Sequence, residues 1–315
     1  ASFTQRLGDP NLDYSHRFNS LYWQDNWKMR PNFTVIYGVR YDLYSLPAPA
    51  ADAAYEISRS FRTDRNNWAP RLGFAWSPDR EQKWVIRASG GIFYDAPQTD
   101  IYRRAIVNSG NPRVFNISVT PAQSFAPNFP NVFSGVPSGF SLPIQSIETV
   151  APDFRTLYSA NANLQITREI TKNTSLSAGY FFTKGTGIPV YRNINVQPGP
   201  NRLADGRPIF LTARIDPRFN NIVMAESVGN SNYNGLNLTL LARGVLDMGD
   251  ANKLIGAARL EMTDASSKET QSNGVTGASF ERKVKTTGMM FNLDAALHTM
   301  PYEKLRLIYS AGLAM

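Results

Sequence analysis

Groups able to hold a ligand recur in this sequence two residues apart, as in Arg40 with Asp42 and Arg259 with Glu261. Arg71, Arg87, Asp294 and Arg306 are further charges of the same kind. Guanidinium and carboxylate groups so spaced share one face of an extended chain, where they can pair with each other or with a polar surface brought against them. Catalytic chemistry finds much less. The two histidines, His16 and His298, lie far apart and outside any metal-ligand spacing such as HExxH. His16 reads as a loop residue and His298 as a polar residue near a turn. The absence of Cys excludes thiol catalysis, zinc–thiolate sites and disulfides. Ser89-Gly90-Gly91 lies within an extended run and not ahead of a helix, so its glycines suit close backbone approach rather than phosphate binding. No GxSxG motif is present. The sequence therefore points away from an enzyme and calls for no metal or cofactor.

The elements that must carry these charges are strands. From Phe33 the odd positions read Phe33, Val35, Tyr37, Val39, Tyr41 and Leu43, against Thr34, Ile36, Gly38, Arg40, Asp42 and Tyr44. Strict alternation puts the two sets on opposite faces. The preceding run places Leu21, Trp23 and Trp27 opposite Tyr22, Gln24, Asn26 and Lys28, with Asp25 breaking the apolar face. Arg30-Pro31-Asn32 forms the turn between them. Similar pairs follow over 68–77 and 84–94, 158–167 and 175–183, 236–243 and 254–263, and 291–297 and 305–313. About ten strands result, each near the 9–11 residues that a tilted membrane strand needs.

Connection lengths give an independent signal. Links inside pairs are short, while 46–67, 96–157, 190–232 and 267–288 are long and rich in Pro, Gly, Asn and Ser. Short and long links alternate, as they do in outer-membrane barrels, whose short turns face the periplasm and whose long loops face outward. A secreted β-sandwich is the alternative, but its strands are usually about five or six residues long. Aromatics, 12% of the chain, gather near strand ends, where rings settle at headgroup level. The net charge of +8 comes from scattered Lys and Arg with no basic cluster, so nucleic acid is not an expected partner. The reading is all-β: an antiparallel transmembrane barrel portion spanning 1–315, located in the bacterial outer membrane with lipid as its surroundings.

Several segments also resemble a known family. Tyr22-Trp23-Gln24-Asp25-Asn26-Trp27-Lys28, Val39-Arg40-Tyr41-Asp42, Trp68-Ala69-Pro70-Arg71-Leu72-Gly73-Phe74-Ala75-Trp76 and Ile86-Arg87-Ala88-Ser89-Gly90-Gly91-Ile92-Phe93-Tyr94-Asp95 resemble TonB-dependent receptor barrels of the Oar-like type common in acidobacteria. Gln165-Ile166-Thr167-Arg168, Gly185-Thr186-Gly187-Ile188-Pro189 and Ser231-Asn232-Tyr233-Asn234-Gly235 are similar too. The resemblance covers roughly 14–245 and weakens after that. It implies a 22-stranded barrel, an N-terminal plug and a TonB box, of which only the barrel portion is expected here, with no plug domain. The ending Leu313-Ala314-Met315, without the terminal aromatic usual in barrels, also fits a partial chain.

The resemblance implies an active transporter that moves a bulky nutrient inward, with its own plug and the TonB system as partners; no motif names the substrate. An outer-membrane anchor or adhesion protein using the barrel as scaffold is the alternative, and a soluble secreted β-protein is a third reading. Two accounts of the charges Arg40, Asp42, Arg71, Arg87, Arg259, Glu261, Asp294 and Arg306 stand open: contact with a plug, or a solvated lumen wall. The loop aromatics Tyr102, Phe115, Phe125, Phe129, Phe133 and Phe140 would contact substrate or a partner, or simply pack their own loops together.

Overall fold

The computed structural model describes residues 2–8, 13–110, 114–128, 130–136, 144–204, 206–247, 253–272, 279–298 and 306–314. In chain order these form β1 (Phe3–Gly8), β2 (Arg17–Arg30), β3 (Phe33–Ser45), β4 (Trp68–Trp76), β5 (Trp84–Tyr94), α1 (Thr99–Val107), β6 (Val114–Val119), β7 (Ile147–Val150), β8 (Tyr158–Thr171), β9 (Thr174–Asn193), β10 (Val196–Arg202), β11 (Pro208–Arg214), β12 (Ile222–Asp247), β13 (Lys253–Ser272), β14 (Ser279–His298) and β15 (Arg306–Ala314). A single 3-10 turn, Glu56–Arg59, lies between β3 and β4.

Ten of these strands pair in the order β15-β14-β13-β12-β9-β8-β5-β4-β3-β2, each antiparallel to its chain neighbour. Register is what makes the alternation productive. Tyr41 faces Trp68, Val39 faces Pro70, Tyr37 faces Leu72 and Val35 faces Phe74. The apolar row continues through Phe74–Ala88–Leu164–Tyr180–Leu236. A one-residue slip anywhere would invert this pattern. Leu21 (76% exposed), Leu72 (61%) and Trp68 (54%) sit bare on that row. A belt of large apolar side chains running across the seven strands from β2 to β12 is far wider than the patches water-soluble proteins keep, and hydrocarbon is the solvent that suits it.

Aromatic pairs bound the belt at both ends. On the long-loop side Tyr41 packs on Trp68 (4.7 Å between ring centroids) and Tyr94 on Tyr158 (5.4 Å). On the short-turn side stand Phe33, Trp76 and Trp84, the last with the Arg168 guanidinium 4.9 Å from its ring. From Trp68 to Trp76 the strand rises roughly 20–26 Å, depending on tilt, close to the apolar band of an outer-membrane barrel. Asp25, the exception within the belt, accepts a hydrogen bond from the Tyr37 hydroxyl at 3.1 Å. At Gly38 a Cβ would lie 2.6 Å from the Trp23 carbonyl, so the β2–β3 approach requires glycine there.

Above the belt the structure corrects the expected loop bounds. The stretch 267–288 is mostly strand, since β13 runs to Ser272 and β14 starts at Ser279; β12 likewise begins at Ile222, inside the expected loop 190–232. These extensions read Asp264-Ala265-Ser266-Ser267-Lys268 and Glu281-Arg282-Lys283. Beyond the hydrocarbon both faces meet water, so ladder bonds persist without any apolar alternation to reveal them. The remaining loops fold into a cap. Ile101, Tyr102 and Ala105 of α1 pack on Val150, Ala151, Phe154, Met224 and Ala225, with β7 added parallel to β12. Two-stranded ladders β1–β6 and β10–β11 stand apart from the main sheet.

The belt predicts a sharp contrast between faces. Leu72→Arg, on the lipid row, should destabilise the bilayer-inserted barrel by about 2–4 kcal/mol, and Asn163→Arg, on the opposite row, by less than about 1 kcal/mol. Urea unfolding from lipid vesicles measures both; equal losses would contradict the assignment of faces.

Candidate functional site

The face opposite the belt is small and polar, and its chemistry concentrates at two places. The first lies near the long-loop end of β2 and β3. Arg40 Nε meets Asp42 Oδ1 at 2.7 Å, and the Asp42 residue is only 2% exposed. Alternation puts both on this face, and the cap closes over Asp42: its N–H donates to the Asn67 carbonyl (3.1 Å), while Asn67 Nδ2 donates to the Asp42 carbonyl (3.0 Å). The Arg40 guanidinium also lies 5.6 Å from the Phe18 ring centroid, and Phe18 stacks on Tyr44 at 4.9 Å. Register explains the stack, since Phe18 and Tyr44 are direct cross-strand partners. Next to it is a pocket of about 150 Å³ lined by residues including His16, Phe18, Tyr44, Pro47, Pro97 and Tyr102.

The second place is a groove of about 450 Å³ further along the wall, lined by Gln24, Arg71, Ser89, Gly91, Phe93 and Asn161 among others. Glycine makes its floor: a Cβ at Gly91 would sit 3.0 Å from the Pro70 carbonyl. The Arg71 guanidinium lies 4.7 Å from the Phe93 centroid. Arg71 Nε and Asn161 Oδ1 are both buried and make no hydrogen bond. Leaving such groups unsatisfied costs on the order of 1–3 kcal/mol each. Arg40 and Arg71 also line a shared pocket of about 160 Å³ with Tyr22, Gln24 and Gly38, so the two places adjoin.

Of the charges singled out from sequence, Arg40, Asp42 and Arg71 are thus brought together. Arg87 lies nearer the short turns, exposed, facing Gln165 in register. Arg259, Glu261, Asp294 and Arg306 hold ladder positions in β13, β14 and β15, and their side chains lie outside what is described. His298 is the last residue of β14. Among the loop aromatics, Tyr102 packs edge-on against Phe61 (5.1 Å) and Phe154 (6.3 Å), and burial pushes its hydroxyl pKa upward. Phe133 meets Phe3 edge-on at 5.6 Å, and its backbone exchanges two hydrogen bonds with the Gln5 side chain. Phe125 is half-buried. Phe129, Phe140 and the side chain of Phe115 fall outside the described residues. Elsewhere in the cap, the Glu148 bond raises the Arg104 pKa, and the Arg218 bond lowers that of Asp216.

Sequence reasoning missed His16, Phe18, Tyr44 and Phe93 as site residues. Phe18 precedes the first alternating run, His16 reads as a loop residue, and Tyr44 and Phe93 read as ordinary positions of their strands. Only interstrand register could show which of them meet.

Residues 1–245 match the outer membrane beta barrel domain family. The chain belongs to that family. This outer-membrane barrel is also similar in fold to the outer membrane transporter YddB from Escherichia coli, with a TM-score of 0.56 and 14% identity over 94% of the chain. Alignments to the siderophore receptor PirA from Pseudomonas aeruginosa (TM-score 0.39, 12% identity, 95% of this chain and 48% of that one) and the FrpB iron transporter from Neisseria meningitidis (0.42, 9%, 96% and 38%) accompany it. The barrel chain spans about a third (33%) of the length of YddB. No curated protein matches it. A bacterial outer-membrane location follows from the family, and the ten strands form part of an outer-membrane barrel.

The Arg40–Asp42 pair can be tested directly. Arg40→Ala should destabilise the barrel by about 1–3 kcal/mol, because a buried carboxylate loses its partner. Adding Asp42→Asn should recover part of that loss in the same urea titration; a purely additive double variant would argue against a coupled pair.

Proposed function

We propose that this chain is part of the wall of a TonB-dependent outer-membrane transporter of the Oar-like type, taking up a bulky nutrient around a plug domain. The observation that carries the reading is the glycine-floored groove with Arg71 Nε and Asn161 Oδ1 buried and lacking partners. A wall made to face bulk water has no reason to bury such groups; a wall made to meet a folded polar domain leaves them for that domain to satisfy. Strands β2 and β15 end the ladder without pairing to each other among the described residues. Open edges do not occur in hydrocarbon, so the wall continues into further strands, consistent with a barrel of 22. The aromatic pocket beside Arg40 would then sit at the mouth, between the cap and the plug. The other charges of the lumen face, Arg87, Arg259, Glu261, Asp294 and Arg306, extend the surface on offer to the plug.

These 315 residues contain no cysteine, so a single one can be introduced here, with any cysteine elsewhere in the full-length protein first replaced by serine. In the full-length protein, Ser89→Cys should react with a bulky water-soluble maleimide at least about tenfold more slowly than after deletion of the segment preceding the barrel. Uptake of a tested panel of ferric siderophores, cobalamin, oligosaccharides and peptides should contain one member whose import requires both the receptor and the TonB protein. Equal labelling with and without the preceding segment, with no TonB-dependent import, would favour the anchor or adhesion reading, in which the packed cap is the working part.

A further inference from the structure

Outside the barrel, above the aromatic girdle, lies a cavity of about 930 Å³. Its floor belongs to the lipid-facing row: Ile92, Tyr94 and Tyr158. Its upper walls come from two cap segments, 61–66 and 153–156, which contribute Arg62, Arg65 and Arg155. All three arginines are exposed, and none forms an ion pair with a described residue. The carboxylates lining the cleft are Asp64 and Asp153. Asp64 is already engaged, accepting from the Asn66 N–H at 3.1 Å and the Thr156 N–H at 3.0 Å. Its charge therefore stitches the two arginine-bearing segments together through their backbones. Asp153 is exposed, and the cleft keeps an excess of cation.

The backbones of both arginine-bearing segments are anchored, that of 61–66 by the girdle. The Tyr41 hydroxyl donates to the Arg65 carbonyl and the Tyr94 hydroxyl to the Asn66 carbonyl, both at 3.0 Å. Arg155 N–H donates to Ser227 Oγ at 2.9 Å. On the next strand Lys184 pairs in register with Ala160, the neighbour of Ile92, which adds a fourth cation on the lipid side.

We infer that this cleft binds the phosphorylated headgroup of an outer-leaflet lipid, its phosphates on Arg62, Arg65 and Arg155 and its acyl chains running down past Ile92 and Tyr158. Position commits the cleft to a lipid. A water-borne ligand gains nothing from a floor of Ile92, Tyr94 and Tyr158 that faces hydrocarbon, whereas a membrane lipid presents its phosphates at this height. Guanidinium forks match phosphate oxygens two at a time, which a floor of aromatic hydroxyls alone could not do. The cavity is also within the roughly 300–1,000 Å³ range of sites that hold a discrete molecule. The inference needs only the membrane placement and is independent of what the barrel transports.

Native mass spectrometry of the full-length protein in detergent tests it, with diphosphoryl lipid A, its dephosphorylated form and inorganic phosphate as probes. The native protein should retain diphosphoryl lipid A at least about tenfold better than the dephosphorylated lipid, the worth of a charge-assisted contact. The variant R62Q/R65Q/R155Q should lose that preference, while R62K/R65K/R155K, which keeps the charges without the forks, should keep part of it. Millimolar inorganic phosphate should not displace the lipid. Indifference of the native protein to the lipid phosphates would overturn the inference without any variant. Unchanged retention by the folded Gln variant would overturn it too, as would displacement by inorganic phosphate, which would mark a site for free anions.

Discussion

Hydrocarbon offers no hydrogen-bond partner to a peptide group, and the structure of this chain follows from that constraint. Every backbone N–H and C=O within the belt must find its partner on a neighbouring strand, which forces a continuous antiparallel ladder. The ladder then leaves side chains only two directions, so one set must suit lipid and the other water or protein. Small residues on the second set are part of the same requirement. At Gly38 the backbone of β2 comes too close for any side chain to fit between them.

This constraint also explains what could be read from the sequence. Within the belt, alternation is imposed by lipid on one side, so all ten strands and the sidedness of Arg40, Asp42, Arg71 and Arg87 were legible. Outside it the constraint lapses. The polar ladder of β13 with β14 continues to Ser272 and Ser279 with no periodic signature, so its sequence reads as loop. The cap was illegible for the opposite reason: α1 and β7 are stabilised by an apolar cluster drawn from segments remote in sequence, Ile101 and Met224 among its members, which no local pattern encodes. Asp25 shows the limit inside the belt. It looked like a break in the apolar face, and only the pairing with Tyr37 supplied the hydroxyl that accounts for it.

The same division governs the candidate sites. Alternation identified which charges share the lumen face, and register decided which of them meet. Arg40 with Asp42 is a two-residue step along one strand, visible in the sequence; Phe18 on Tyr44 and Arg71 on Phe93 are cross-strand encounters and were not. Ligand-binding character in such a wall arises mostly from the second kind, because each strand alone presents only one residue per pleat.

The segment 64–67 sits astride the rim and is held from both faces. Asn67 bonds the Asp42 backbone on the lumen row, while Tyr41 and Tyr94 of the lipid row hold Arg65 and Asn66. Behind it, Phe61 and Phe154 line the outer cleft and close on Tyr102, which lines the mouth pocket. One aromatic cluster therefore forms a wall common to an outward cavity and an inward one. Close-packed clusters do not deform continuously; they shift between discrete packings or not at all. A group that wedges the outer cleft open or shut must consequently either leave Tyr102 in place or move it as a unit with the pocket beside Phe18 and Tyr44. The girdle thus does more than mark the membrane boundary: by fixing this segment it sets the shape of the mouth.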